Sequence, residues 1–431
     1  MRYSKIDTEL FSRNREKLIG KLEKKSVAII HSNDQMVRSG DQYYPYRQNS
    51  DMFYLSGIEQ EMSILLICSD PESADKMEML FIRKPDPKLE TWEGRKLDLK
   101  VAEEISGIKN VHWLENFEAI SRELILESRN IYFNIPEYEK FKPEYPSRDE
   151  RKMIQLKKDY PSHVFMGLAP LMTELRLVKE PGELNLIRKA VEITRAGFNR
   201  VLGYLKPGLM EFEVEAELSH EFIRQGCAGH AYPPIIASGE NACMLHYIKN
   251  DMVCRDGELL LMDFGAEYAN YAADCSRTIP VNGKFSRRQR ELYDANLRVF
   301  KGARSLMEPG TTIDIINEKV GLLWEEEHVK LGLYTSADVR KQTKEDPLYK
   351  KYFMHGTAHF MGLDVHDLGS KQVELKPGMV LTCEPGIYIP EEKTGIRLEN
   401  DILITESGHV DLMEEFPIEA EEIEELMQSR R

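Results

Sequence analysis

Two apolar runs in this chain each carry one aspartate, and that pair limits what the chain can fold into. The first run is Leu259-Leu260-Leu261-Met262-Asp263-Phe264-Gly265-Ala266. The second is Ala272-Ala273-Asp274-Cys275-Ser276-Arg277-Thr278-Ile279. Each reads as a buried strand, where an unpaired carboxylate is costly. The turn-forming stretch Ala266-Glu267-Tyr268-Ala269-Asn270 lies between them, so a hairpin would set the two acids side by side. Adjacent carboxylates in a core repel unless a cation sits between them. Asp263 and Asp274 therefore read as metal ligands, with the rest of the chain completing and screening their site.

The elements around this pair recur in order. A long helix follows Thr173-Glu174-Leu175-Arg176, with Pro181 suited to its first turn and Leu184, Ile187, Val191, Thr194, Phe198, Val201 and Leu205 on its buried face. Pro207-Gly208 closes it, and a second helix is expected over 211–226. Helices over 288–307 and 313–331, joined by Pro309-Gly310, echo this pair. Gly257-x5-Asp263-x-Gly265 is echoed by Gly378-x5-Glu384-x-Gly386. Each is followed by a further acidic strand, with Asp274 in the first and Glu399 in Ile396-Arg397-Leu398-Glu399-Asn400-Asp401-Ile402-Leu403-Ile404. This reads as two related half-domains, each delivering two carboxylates to one central pocket. Pro417 and an acidic helix over 419–427 read as a solvated cap.

At 431 residues the chain exceeds one ordinary core. Residues 1–172 alternate helices (9–24, 100–105, 119–126) with strands (26–30, 63–67, 77–82, 130–133), an α/β pattern. Tyr43-Tyr44-Pro45-Tyr46-Arg47-Gln48-Asn49-Ser50-Asp51 reads either as an ordered surface loop or as part of an interface or substrate recess. Pro143, Pro146 and a charged run to Lys158 read as loosening before a boundary that divides 1–172 from 173–431. A net charge of -15 without a Lys/Arg stripe argues against a nucleic-acid partner. No apolar stretch approaches the roughly 20 residues that span a bilayer, so no membrane partner is expected. The first residues lack the apolar core of a secretory signal. Six cysteines without a Cys-x-x-Cys pair suggest reduced, packed thiols in a cytoplasm.

The segment Met354-His355-Gly356-Thr357-Ala358-His359-Phe360-Met361-Gly362-Leu363-Asp364-Val365-His366-Asp367 holds three histidines within twelve residues. Such a cluster, in the same half as two buried acids, reads as part of a site. Carboxylates with one imidazole suit Mn2+, Co2+, Zn2+ or Fe2+ better than a thiolate metal. Asp263, Asp274, Glu384 and Glu399 bring four negative charges, which two divalent ions neutralise and one does not. Two ions roughly 3.5–4 Å apart can hold a bridging hydroxide and polarise a carbonyl. Arg397 and Glu399 alternate onto one strand face, so the arginine is expected to pair with Glu399 and orient it. His246, after Ser238-Gly239-Glu240-Asn241, is open between packing and function.

Asp263-Phe264-Gly265, Asp274, His355-Gly356-x-x-His359, Gly362-Leu363-Asp364-Val365-His366-Asp367, Glu384-Pro385-Gly386-Ile387-Tyr388 and Gly395-Ile396-Arg397-Leu398-Glu399 resemble the peptidase M24 family. Within it they resemble the aminopeptidase P (Xaa-Pro aminopeptidase) branch, over nearly the whole length. Tyr46 to Gly57 resembles its creatinase-like N-terminal domain. The resemblance implies an α/β N-terminal domain followed by an α+β pita-bread domain with pseudo-two-fold half-repeats. It implies Asp263, Asp274, His359, Glu384 and Glu399 as ligands of two ions, manganese being usual, with Asp274 and Glu399 bridging. It also implies His246, His355 and His366 lining the substrate site, supported by Arg397.

The implied reaction is hydrolysis of the N-terminal Xaa-Pro bond by a metal-bridging hydroxide, with Glu384 accepting its proton and His246 or His366 stabilising the oxyanion and the leaving nitrogen. Tyr388 matches a tyrosine near the site. Trp92 matches an aromatic that reaches a neighbouring subunit's pocket, so a homodimer or homotetramer is expected. Asn400 departs from the common aspartate at a non-ligand position. The rivals are a prolidase, which shares every ligand, methionine aminopeptidase, which would not need the N-terminal 170 residues, creatinase, which lacks the full acidic set, and a non-catalytic pita-bread binder.

Overall fold

The computed structural model describes residues 2–71, 76–138 and 144–429. The chain divides into two compact units, Ser4–Arg176 and Leu177–Arg431 with Met1–Tyr3.

In the first unit the apolar runs become one six-stranded sheet. Its order is Val111–Trp113, Glu78–Ile82, Ile64–Cys68, Ser26–His31, Asn130–Phe133 and Val164–Gly167. Ser26–His31, Ile64–Cys68 and Asn130–Phe133 are buried along their whole length, so they lack polar alternation in the sequence. The two strands not expected, Val111–Trp113 and Val164–Gly167, are the short, half-exposed edges. The far end of Tyr43–Asp51 is partly buried and enters a helix. Asn49 caps the helix Ser50–Ser56, and the buried Gln48 amide donates to the Ile58 carbonyl at 3.0 Å. That helix ends on Gly57 at φ 66°, where a Cβ would lie 2.4 Å from the Phe11 ring.

The charged stretch read as loosening is instead the helix Arg148–Asp159. Ser147 and Glu150 form a reciprocal capping box at its start. Only Asp149 and Leu156 are buried on it, so its apolar periodicity was too weak to announce a helix. Pro143 lies outside the described residues. Thr173 to Arg176 belong to a separate helix, Ala169–Leu177, which stops short of Pro181.

The second unit is built from two halves of matched order. Helices Pro181–Tyr204 and Glu211–Arg224 precede an antiparallel sheet of Ile235–Ser238, Leu259–Phe264 and Cys275–Pro280. Helices Arg287–Ser305 and Ile313–Lys330 precede a sheet of Val380–Cys383, Asn400–Thr405 and Gly408–Asp411. Phe264 pairs with Cys275 in one sheet, and Cys383 with Asn400 in the other. Asp274 and Glu399 thus each stand one residue before a returning strand. Between its outgoing and returning strands each sheet carries a small hairpin, Ala266–Tyr268 with Tyr271–Ala272 and Gly386–Ile389 with Thr394–Arg397. The turn itself is only Ala269-Asn270, both at positive φ; the rest of the expected turn is strand.

The two sheets meet at Arg277, which is 0 % exposed. Its guanidinium donates to the carbonyls of Ser276, Glu399 and Pro417 and to the Asn400 side chain, all within 2.9 Å, and stacks on the Phe416 ring. The helix Ala420–Ser429 buries Ala420, Ile423 and Met427, and its half-buried Glu424 accepts the Phe285 N–H at 2.8 Å.

Candidate metal centre

Where the two halves face each other there is a cavity of about 410 Å³. All nine expected site residues line it: Asp263, Asp274, His359, Glu384 and Glu399, with His246, His355, His366 and Arg397. Each acid arrives through backbone geometry. Asp263 is the next-to-last residue of its strand, and Gly265 follows. A Cβ at Gly265 would lie 1.7 Å from the Ala273 carbonyl oxygen, so glycine lets the hairpin close and brings Asp274 beside Asp263. Glu384 directly follows its strand, and the Glu399 amide donates to the Ser276 carbonyl of the other half at 3.1 Å.

The side chains converge. Ligand atoms of Asp274, His359 and Glu399 all lie within 4.8 Å of one another. His359 Nε2 is 3.4 Å from Asp274 Oδ2 and 3.7 Å from Glu384 Oε1. The other ring nitrogen, Nδ1, donates to the Phe360 carbonyl at 3.1 Å, which leaves the Nε2 lone pair aimed at the carboxylates. The His366 ring meets the His359 ring edge-on at 4.2 Å.

Arg397 departs from the expected pairing. Its Nη2 donates to Asp263 Oδ2 at 2.6 Å and its Nε to Ser276 Oγ at 2.8 Å. Its hydrogen-bonded link to Glu399 runs through Ser276, whose hydroxyl donates to Glu399 Oε2 at 2.6 Å, while its charge also acts on Glu399 directly. The alternation that put Arg397 and Glu399 on one face assumed a continuous strand. The strand stops at Arg397, and Glu399 lies in the break before the next one.

Arg397 Nη1 also donates to the Tyr388 oxygen at 2.9 Å, and the Tyr388 hydroxyl donates to His355 Nε2 at 2.8 Å. His355 Nδ1 donates to the Gly356 carbonyl, so this relay fixes the tautomer. Burial, aided by the Arg397 charge, pushes His355 down to about 3, and the ring is neutral near pH 7.

Tyr232 escaped the sequence reading. Its hydroxyl lies 2.6 Å from Asp263 Oδ1 and 2.6 Å from Asp274 Oδ1. Nothing in Ala231-Tyr232-Pro233-Pro234 marks it. Asp401 escaped as well, though an acid in an apolar run was the signal used for Asp263. Its Oδ2 accepts the Asp274 backbone N–H at 3.2 Å, and burial pushes its carboxyl well above the usual range. Trp92 lies in the first unit and is 86 % exposed.

The donor set fits divalent cations. Burial pushes the Glu384 carboxyl up to about 7 against the opposing His359 and Arg397 charges. Glu399 rises well above its ordinary value through burial and the nearby Asp274 and Glu384. Asp263 rises through burial, with Arg397 opposing and Asp274 adding. One Tyr232 proton cannot serve two carboxylates at once. Four crowded acids and an inward lone pair are satisfied together by hard cations taking N and O ligands. Metal uptake is therefore expected to release protons, and to tighten as pH rises through about 7. Calorimetric titration with Mn2+ in buffers of different ionisation heat measures this; equal heats in all buffers would contradict it.

The sequence matches the family model for metallopeptidase family M24 over residues 185–406, and that for the aminopeptidase P N-terminal domain over residues 11–132. It is 35% identical to the Xaa-Pro aminopeptidase of Haemophilus influenzae over 98% of both chains. It is 36% identical to the Xaa-Pro aminopeptidase of Escherichia coli over 99% of both. The fold is similar to that of zinc-substituted E. coli aminopeptidase P in complex with product, with a TM-score of 0.88 and 34% identity over 99% of this chain and 100% of that one.

Proposed function

We propose that Asp263, Asp274, His359, Glu384 and Glu399, holding two divalent ions, carry the chemistry of this chain, which belongs to the M24 metallopeptidase family and is an Xaa-Pro aminopeptidase. The observation that carries this reading is their meeting in one cavity from both halves of the unit. A bound divalent pair supplies an acidified water and a Lewis acid for the scissile carbonyl.

The rest belongs to the chain's own residues. Glu384, on the cavity wall beside His359, takes the proton given up by the attacking water as the carbonyl carbon is attacked. His246 and His366 face the cavity, positioned to donate to the tetrahedral oxyanion and to the proline nitrogen as it leaves. Arg397 holds Asp263 and, through Ser276, Glu399, so the acids keep their spacing as charge develops. An Xaa-Pro bond has no N–H to grip. Pro233, Ile235, Leu245 and Val365 on the cavity wall offer the proline ring apolar contact instead.

The test is release of the first amino acid from Xaa-Pro-Yaa with and without Mn2+. Turnover that depends on metal and on proline at the second position is expected. Cleavage of Xaa-Pro dipeptides alone would move the assignment to a prolidase.

We further assign manganese as the working ion, a homodimer or homotetramer as the assembly and the cytoplasm as the compartment. Exposed Trp92 supports the assembly, and light scattering on Trp92→Ala against the parent tests it. Six free cysteines support the compartment, and labelling six thiols without reductant tests it. Among the described residues no helix is long and apolar enough to cross a membrane. Higher turnover with Zn2+, Co2+ or Fe2+ than with Mn2+ would change the ion.

A further inference from the structure

Beside the histidine segment lies a second buried charge cluster, whose residues do not line the cavity. Lys179 stands between the helices Ala169–Leu177 and Pro181–Tyr204, and its main-chain N–H donates to the Gly378 carbonyl at 2.9 Å. Its ammonium lies 3.6 Å from Asp367 Oδ2, and both side chains are within 2 % of full burial. Asp367 closes the loop that carries the site's histidines. Its N–H donates to the Phe360 carbonyl at 2.8 Å, which brackets residues 360–367 between His359 and Asp367, with His366 adjacent.

The ion pair crosses Gly362 at close range. A Cβ there would lie 2.4 Å from Asp367 Oδ2 and 2.9 Å from Lys179 Cε. The Gly362 carbonyl in turn accepts the Ala272 N–H at 2.9 Å, two residues before Asp274. Glu183 completes the cluster, with Tyr271 donating to it at 3.0 Å; burial pushes its carboxyl up to about 7, with Lys179 and Asp367 acting in opposite directions. Buried charges are kept at a cost, and a well-attested return on that cost is a fixed register.

We propose that Lys179 and Asp367 act as a positioning clamp that sets His366, whose ring meets the His359 ring edge-on, against the acids of the opposite half. This rests on the peptidase reading above. Lys179 touches no substrate; its effect passes through Asp367 and the loop. The clamp therefore governs turnover rather than binding.

The experiment compares the full-length, Mn2+-loaded protein with Lys179→Met, Asp367→Asn, the double variant and Gly362→Ala. The last keeps both charges and only forces them apart. In Lys179→Met and in Gly362→Ala, kcat on Xaa-Pro-Yaa is expected to fall ~30-fold with KM within roughly threefold and metal content unchanged. The double variant is expected to be no slower than either single one. Hydrogen exchange over 360–367 is expected to quicken about tenfold while the helix Pro181–Tyr204 keeps its protection.

A kcat within twofold of the parent in both variants, or a loss that tracks lost metal or lost fold, overturns the clamp. Unchanged exchange over 360–367 overturns it too. Were the parent inactive on Xaa-Pro-Yaa, the peptidase reading would fall, and the exchange measurement would still decide for or against the clamp.

Discussion

His359→Ala is expected to lose bound metal and turnover together. The imidazole is the one nitrogen donor among the five proposed ligands, and its Nε2 points between Asp274 and Glu384. Alanine leaves those carboxylates facing a gap, with no imidazole between them to offset their repulsion. The expected loss in kcat/KM is on the order of 10³-fold, about 4 kcal/mol of transition-state stabilisation at 1.36 kcal/mol per tenfold. Elemental analysis should find fewer than two ions per chain after Mn2+ loading. His246→Ala is the informative contrast. It should keep both ions and lose roughly 10²-fold in kcat, as expected for a group that acts only on the transition state. Full metal and full rate in His359→Ala would refute the assignment of the centre.

Arg277→Leu is expected to cost the fold about 3–5 kcal/mol, since each buried acceptor left without a donor costs roughly 1–3 kcal/mol. Leucine fills much of the volume but donates nothing. The carbonyls of Ser276, Glu399 and Pro417 then lose a donor inside the protein. Glu399 and Ser276 belong to different halves, so the defect falls on their junction. Urea denaturation of the metal-free protein measures it; an unchanged midpoint would show that the halves hold together without this guanidinium. Part of the loss should be recovered on adding Mn2+, because an ion pair held by both halves binds only the folded state.

The parts of this protein legible in the sequence were those that violate a local rule. An acid in an apolar run is conspicuous, so Asp263, Asp274 and Glu399 stood out. Repeated Gly-x5-acid-x-Gly spacing announced the two halves. What stayed hidden depends on distant partners. Tyr232 matters through hydroxyl contacts to Asp263 and Asp274, 31 and 42 residues away. Arg277 reads as an ordinary charge until the strand that buries it is in place. That Arg397 bonds Asp263 directly, and Glu399 through Ser276, is not legible from a two-residue alternation, because a strand break separates Arg397 from Glu399. The helix Arg148–Asp159 was missed for the opposite reason: its signal was a cap at Ser147, and the apolar stripe was nearly absent.

Because the proposed ligands Asp263 and Asp274 come from one half and His359, Glu384 and Glu399 from the other, neither half alone carries the whole proposed set. As the chain emerges from a ribosome, its first two acids are made well before the remaining donors exist. On that assignment, ion capture is expected late in maturation, after both halves are made, and a nascent or truncated product is expected to stay inert towards peptides.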